Sequence, residues 1–155
     1  MAFWTEVTSE TNDPKRQFRF TLQIPGLVEN YVWFVKKTNK PTLTISETPH
    51  KYLNHTFYYP GKVEWNVVTV SMVDPVSPDA AAGISALLEA GGYKVPTDPS
   101  ALSTISKAGS VTALGDVIID QIDASGLKSL ETWTLKNAWI KDIKYGDLDY
   151  DGDDH

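Results

Sequence analysis

Residues 147–155 read DLDYDGDDH and hold the densest cluster of chemically capable groups in the chain. Asp147, Asp149 and Asp151 alternate along the backbone and Gly152 follows them. That spacing opens an EF-hand loop, in which carboxylate oxygens gather around Ca2+ over twelve positions and a bidentate Glu closes the shell between two helices. Counted from Asp147, the sequence reaches His155 with no Glu, and residues 138–145 alternate like a strand rather than an entering helix. Half a loop in strand context is a weak metal signal. Asp147, Asp149 and Asp151 are therefore weak calcium candidates. An acidic β-turn is the stronger reading, because Asp side chains bond readily to the backbone of a turn.

The other reactive residue types are sparse. His50, His55 and His155 are the only histidines, none pairs with another at helical metal-ligand spacing, and there is no Cys. Zinc and thiolate chemistry thus have no sequence support. Neither the G-x-S-x-G elbow of a serine hydrolase nor a phosphate loop occurs, and Ala90-Gly91-Gly92 follows a helical pattern instead of opening one. No catalytic constellation and no cofactor emerge, so the expectation is a protein that is not an enzyme.

Charge narrows the partners. The net charge of −6 is the wrong sign for gripping phosphates. Lys36, Lys37 and Lys40 form the densest basic group, read here as a solvated turn or a contact for an acidic neighbouring surface. No run of residues approaches the roughly 18 apolar positions of a membrane helix. The opening MAFWTEVTSETNDPKRQ lacks a secretory pattern, which makes cytoplasm the default compartment.

The elements that must position these residues are mostly strands. Phe18, Phe20, Leu22 and Ile24 alternate with polar residues up to Pro25-Gly26, the mark of a half-buried strand. YVWFV at 31–35 is a second strand, with the lysines around a turn behind it. TLTISET at 42–48 sets Leu43 and Ile45 on one face and Thr42, Thr44, Ser46 and Thr48 on the other. Residues 50–60, HKYLNHTFYYP, read as a loop or long hairpin arm, with Pro60-Gly61 as a turn. VEWNVVTVSMV at 63–73 is the longest strand, its apolar phase slipping between Val67 and Val68.

One strong helix is expected at 78–90, capped by Ser77 with Pro78 and Asp79 in its first turn, and carrying Ala80, Ile84, Leu87 and Leu88 as a stripe. Residues 97–109 are a loop or a short helix capped by Asp98. Further strands are expected near 113–122, 131–136 and 138–145. Strands, a helix, then strands predicts a mainly β fold in one domain: an antiparallel barrel or sandwich with a single flanking helix.

Two features ask for a partner. Thr42, Thr44, Ser46 and Thr48, with Thr132, Thr134 and Lys136, give long strands a polar face that is neither greasy nor heavily charged. Such strands suit pairing with another chain. The aromatic arm His55-Thr56-Phe57-Tyr58-Tyr59-Pro60 is costly to leave in water.

The segments NDPKRQFRFTLQIPGL, PGKVEWNVVTVSMVDP, DAAAGISALLEAGG and NAWIKDIKYGDLDYDGDD together resemble the tail tube protein of contractile-tailed bacteriophages of the T-even type, from about Pro14 to Asp154. That family is similar to the tube protein of type VI secretion. The resemblance implies a small β-barrel or sandwich with a helix at its side. Six copies form a ring, and rings stack into a hollow tube within a contractile sheath that conducts the genome. It implies self-contacts, sheath, baseplate and tail-terminator partners, DNA that passes without specific binding, no membrane insertion, and a place in the virion after assembly in the host cytoplasm.

By the same resemblance, Thr42, Thr44, Ser46 and Thr48 match an inner-sheet strand. His50, Tyr52, His55, Phe57, Tyr58 and Tyr59 fall in the hairpin that reaches an adjoining ring or subunit, and Lys36, Lys37 and Lys40 are sheath-contact candidates. Residues 1–14 match a segment ordered on assembly. In relatives the acidic turn leads into a final strand; before His155 there is none, so either the strand is missing from this stretch or a neighbour supplies the pairing. The alternatives are a tube subunit of a type VI or bacteriocin machine and, further off, a calcium- or ligand-binding β module.

Overall fold

The computed structural model describes residues 14–27, 34–77, 79–97, 99–148 and 150. It is mainly β, with antiparallel sheets that do not close into a barrel. The chain divides into two compact units: Met1–Leu27 with Leu87–Lys141, and Val28–Ala86 with Asp142–His155.

In the first unit, β1 (Phe20–Gln23), β6 (Val117–Ile122) and β7 (Ser129–Leu135) form a sheet in the order β1-β6-β7. Leu22 pairs with Ile119 and Ile119 with Trp133, so three large side chains share one face. That face is the core side: Leu22, Val117 and Ile119 are buried, while Ile118, Asp120 and Ile122 of the opposite face are only half-covered. Gln121 is the buried polar residue of the core face, and its amide donates to the Arg16 carbonyl at 3.0 Å. A buried amide left without any partner costs about 1–3 kcal/mol. Glu131 at the rim takes hydrogen bonds from Lys15 and from the Trp133 indole.

A second helix, α2 (Lys107–Leu114), lies where the sequence suggested a loop or short helix, and its last residues occupy the start of the strand expected at 113–122. Ser106, not Asp98, caps it: the Ser106 hydroxyl accepts from the Gly109 N–H at 3.0 Å. Asp98 itself is outside the described residues. Gly115 then takes φ +72, ending the helix in a conformation that favours glycine, and the strand begins at Val117. Leu114 is buried, and its carbonyl accepts from the Gly26 N–H at 3.1 Å.

In the second unit, β2 (Val35–Thr38) pairs with β5 (Val70–Met72), and β3 (Leu43–Tyr52) with β4 (His55–Trp65). Of the strand expected at 31–35, residues 31–33 lie outside the described residues and Val35 opens β2. The strand expected at 63–73 is two strands. Residues 66–69 are irregular where the apolar phase slips, held by Asn39, whose side-chain oxygen accepts from the Thr69 N–H at 2.6 Å. Helix α1 (Ala80–Ala90), within which the division of the chain falls, matches the expected helix. Its cap differs from expectation. Asp79 accepts from Ala82 N–H at 2.9 Å and Asp74 from Ala80 N–H at 3.0 Å, so carboxylates rather than Ser77 meet the positive helix end.

Two further expectations are corrected. Among the described residues there are two helices, not one, because the small-residue stretch after Ser106 is helical. Residues 138–145 form no strand: Asn137 takes φ +56 in the turn after β7, and the burial alternates through Ile140 with no described strand paired to it. Barrel closure fails for a related reason. Among the described strands only β6 is paired along both edges, and a barrel needs every edge paired.

Gly26 is a close-approach position. A Cβ there would fall 2.2 Å from the Ala113 carbonyl oxygen and 2.6 Å from the Leu87 Cδ2. Gly26→Ala is expected to destabilise the protein by about 1–3 kcal/mol, the usual cost of overpacking. Urea denaturation followed by Trp fluorescence measures this; an unchanged midpoint would show that the helix and the 25–27 turn do not pack as described.

Candidate functional site

Every residue of β3 and β4 is exposed to solvent. Six hydrophobic residues are buried among the described residues, against 22 large hydrophobics that are exposed, and nine of those 22 lie between Leu43 and Trp65. A protein that keeps nine large apolar side chains on one unburied ribbon has a surface built for contact.

The hairpin is long because its alternation is strong. Tyr52 pairs with His55 around the two-residue turn Leu53-Asn54, and Leu43 pairs with Trp65 at the far end. The expected hairpin arm is thus present, while the turn expected at Pro60-Gly61 is not: both residues lie inside β4. Pro60 is tolerated because β4 is an edge strand. Gly61 serves a β-bulge. The register shifts between Ile45 and Glu47, placing Gly61 and Lys62 opposite Ser46. The Lys62 N–H donates to the Ser46 hydroxyl at 2.9 Å, and a Cβ on Gly61 would sit 2.4 Å from that oxygen and 3.0 Å from the Ser46 carbonyl oxygen.

The structure distributes the candidate residues as follows. Thr42 and Thr44 share a face and are tied together by Asn66, whose side-chain amide donates to both hydroxyls at 3.1 Å. Ser46 is occupied by the bulge. Thr48 pairs with Tyr59, His50 with Phe57, and Tyr52 with His55, so all six lie on the pleat side of Thr44. The His50 and Tyr59 rings meet edge-on at 6.4 Å, and the His55 and Phe57 rings lie 6.4 Å apart. Tyr58 points to the other side, paired with Pro49. At the tip Leu53 takes φ +50 with 86% of its surface exposed, an unfavourable conformation for Leu at a position where Asn or Gly would be relaxed.

Lys36 and Lys37 are strand residues rather than turn residues. The register of β2 shifts between Val35 and Lys37, and both lysines are exposed. Lys40 follows β2 in irregular chain.

Of the acidic candidates, Asp147 lies in irregular chain after Gly146 at φ +88, and Asp149 and Asp151 lie outside the described residues. His155 is outside them too. Among the described residues no group of three or more His, Asp or Glu is placed to hold a metal ion. Asp123 shows what a turn carboxylate does here. The Ser125 hydroxyl hydrogen-bonds its two oxygens at 2.8 and 2.9 Å and the Lys128 N–H adds a third contact at 3.4 Å. The Ser125 hydroxyl foremost, then backbone N–H groups of Lys128, Gly126 and Ser125, hold the carboxyl below the usual Asp range against a smaller desolvation effect.

Sequence reasoning missed Asn66, Asn39 and the bulge. The signal for the bulge was present: in β4, His55, Phe57, Tyr59, Val63 and Trp65 keep one parity, with a Gly in the middle. Asn66 and Asn39 leave no periodic signal, since their roles depend on which segments meet.

A comparison with known families finds no family model that matches the chain, and a comparison with curated proteins finds no match.

Ser125→Ala is expected to raise the Asp123 titration midpoint toward the ordinary Asp value. Because the folded carboxyl is depressed, the turn's contribution is complete above the unfolded value near pH 4 and fades as pH falls through the lowered folded value. Two-dimensional NMR titration of the carboxyl carbons reads the shift; an identical midpoint in parent and variant would remove Ser125 as its cause.

Proposed function

We propose that this protein is a structural subunit that assembles with copies of itself into stacked rings forming a hollow tube, of the kind that contractile phage tails use to conduct DNA. The observation that carries the reading is the β3–β4 hairpin: a long ribbon whose two edges pair with no other described strand and whose apolar side chains are exposed. An isolated two-stranded ribbon is marginal in water and needs a further layer or strand to be stable. Fully burying an aromatic side chain removes about 150–250 Å² from solvent. Tyr52, Phe57, Tyr58, Tyr59 and Trp65 are 52–63% exposed, so they alone offer roughly 600 Å² to a partner, most of the approximately 800 Å² per side of a stable interface.

The polar strand faces and the net charge support the rest. Thr42, Thr44, Ser46 and Thr48 give a hydrated, uncharged wall, with two of the four hydroxyls fixed by Asn66. A ring of six would carry 6 × (−6) = −36 formal charges from the sequence. A bore carrying part of that charge repels phosphate within a screening length of about 8 Å, so DNA slides without being held. Lys36 and Lys37, exposed on β2, with Lys40 behind them, suit an acidic sheath surface outside the tube. If the resemblance to tail tube proteins holds, baseplate and terminator proteins would meet the tube ends.

Sedimentation velocity across a concentration series, with negative-stain images of the same samples, tests the proposal. Concentration-dependent growth into rings or tubes that retain no DNA at physiological salt is expected. A monomer at every concentration, or tubes that bind DNA tightly, overturns it.

A further inference from the structure

The bulge at Ser46, Gly61 and Lys62 does more than bend the hairpin. In an unbroken β4, His55, Phe57, Tyr59, Val63 and Trp65 would all stand on one side of the pleat, since residues two apart share a face. The register shows that they do not. Trp65 and Val63 pair with Leu43 and Ile45, on one side of β3; Tyr59, Phe57 and His55 pair with Thr48, His50 and Tyr52, on the other. One extra residue therefore splits a single apolar stripe into two. Leu43, Ile45, Val63 and Trp65 form a base patch on one side. Tyr52, Phe57 and Tyr59 form a tip patch on the opposite side. All seven are between 47% and 63% exposed. The ribbon's right-handed twist turns both faces gradually along its length, but a partner still has to cross a strand edge to pass from one patch to the other.

We infer that the hairpin is a two-sided connector, gripped by one copy of this chain at its base patch and by a different copy at its tip patch. The inference rests on the self-assembly reading and says how the same surface divides its work. A second copy is the occupant that the charges favour. Glu47 and Glu64 balance Lys51 and Lys62, so residues 43–65 sum to zero in a chain of net −6. Copies that would repel one another elsewhere meet no net repulsion here, and charges of alternating sign can pair between neighbours. Leu53, strained and exposed at the turn, extends the apolar surface at the tip. Two separate contacts on one arm are what an assembly growing in two directions needs, since a single contact gives either closed rings or open filaments.

The test compares the full-length parent with two variants: Val63→Thr/Trp65→Thr at the base and Phe57→Thr/Tyr59→Thr at the tip. Thr keeps strand propensity, and circular dichroism with thermal melting verifies that each variant is folded. In sedimentation velocity and negative stain, base and tip variants are expected to stop at different species, one remaining monomeric and the other accumulating a discrete oligomer. Each raises the concentration for half-assembly by about tenfold or more, the effect of losing about 1.4 kcal/mol of contact energy. In parallel, a photo-reactive Phe analogue placed at 57 or at 65 in the parent should cross-link to two different segments of neighbouring copies. Base and tip variants arrested at the same species, or cross-links to one common segment, each overturn the two-sided connector while leaving self-assembly standing. A parent that never assembles overturns both.

Discussion

Apolar surface in this chain exceeds what its own core covers. The first unit shows how a core is normally made here: Leu22, Val117, Ile119 and Leu114 are buried around one face of a three-stranded sheet, with Leu87 from α1 and the Gln121 amide satisfied by a carbonyl. The β3–β4 ribbon uses the same residue types and the same alternation, yet nothing among the described residues covers either of its faces. Burial is worth about 25 cal/mol per Å² of apolar area. On the proposed reading, that stabilisation is withheld from the monomer at the hairpin and becomes available when a second copy arrives.

Exposed ribbons of this kind invite random edge-to-edge pairing, and the hairpin carries features that limit it. Pro60 removes an N–H donor from β4, Lys51 and Lys62 place charge along the strands, and the bulge breaks the flatness that amyloid-like stacking requires. The bulge depends on two residues. Ser46 accepts the extra N–H, and Gly61 alone leaves room for the Ser46 backbone. A second bulge in β2 has a related effect, leaving Lys36 and Lys37 exposed at consecutive positions where strict alternation would have turned one of them inward. In both sheets the departure from regular pairing decides which side chains a partner would meet.

Much of this was legible before any coordinates, in proportion to how local the cause was. Strand β7, helix α1 and the hairpin arm follow from alternation or a helical stripe over successive residues, and each appears where its pattern lies, whereas β1 keeps only Phe20–Gln23 of its alternation and Phe18 is 76% exposed. The division of Leu43 and Ile45 from Thr44 and Ser46 follows from the pleat and holds through the hairpin base. Errors arose where a local cue competed with a distant partner. Pro60-Gly61 resembles a turn, but pairing with Glu47 and Ser46 holds it in a strand. The alternation at 138–145 resembles a strand, but no edge meets it. Residues 107–114 have a weak apolar pattern, and Ser106 with its cap fixes them as helix. Closure of a barrel was the least legible feature, because it depends on every edge at once.

On the proposed reading, charge and apolar surface have complementary distributions. Association is opposed by −6 per copy, and that opposition weakens as salt screens it over a Debye length of about 8 Å. The hairpin, with no net charge, is where copies approach without that penalty. Acidic residues concentrated outside the hairpin, such as those from Asp147 onward, bias contacts toward it by making other orientations repulsive. On the same reading, that surplus faces whatever would travel along the tube. A polyanion inside a negative bore would gain nothing from the wall, and the Thr44 and Ser46 hydroxyls already donate to the Asn66 side-chain oxygen at 3.4 Å and the Lys62 carbonyl at 3.3 Å. In a tube of this kind, repulsion between subunits and slip of the cargo would both follow from one property of the sequence, its excess of carboxylates over ammonium and guanidinium groups.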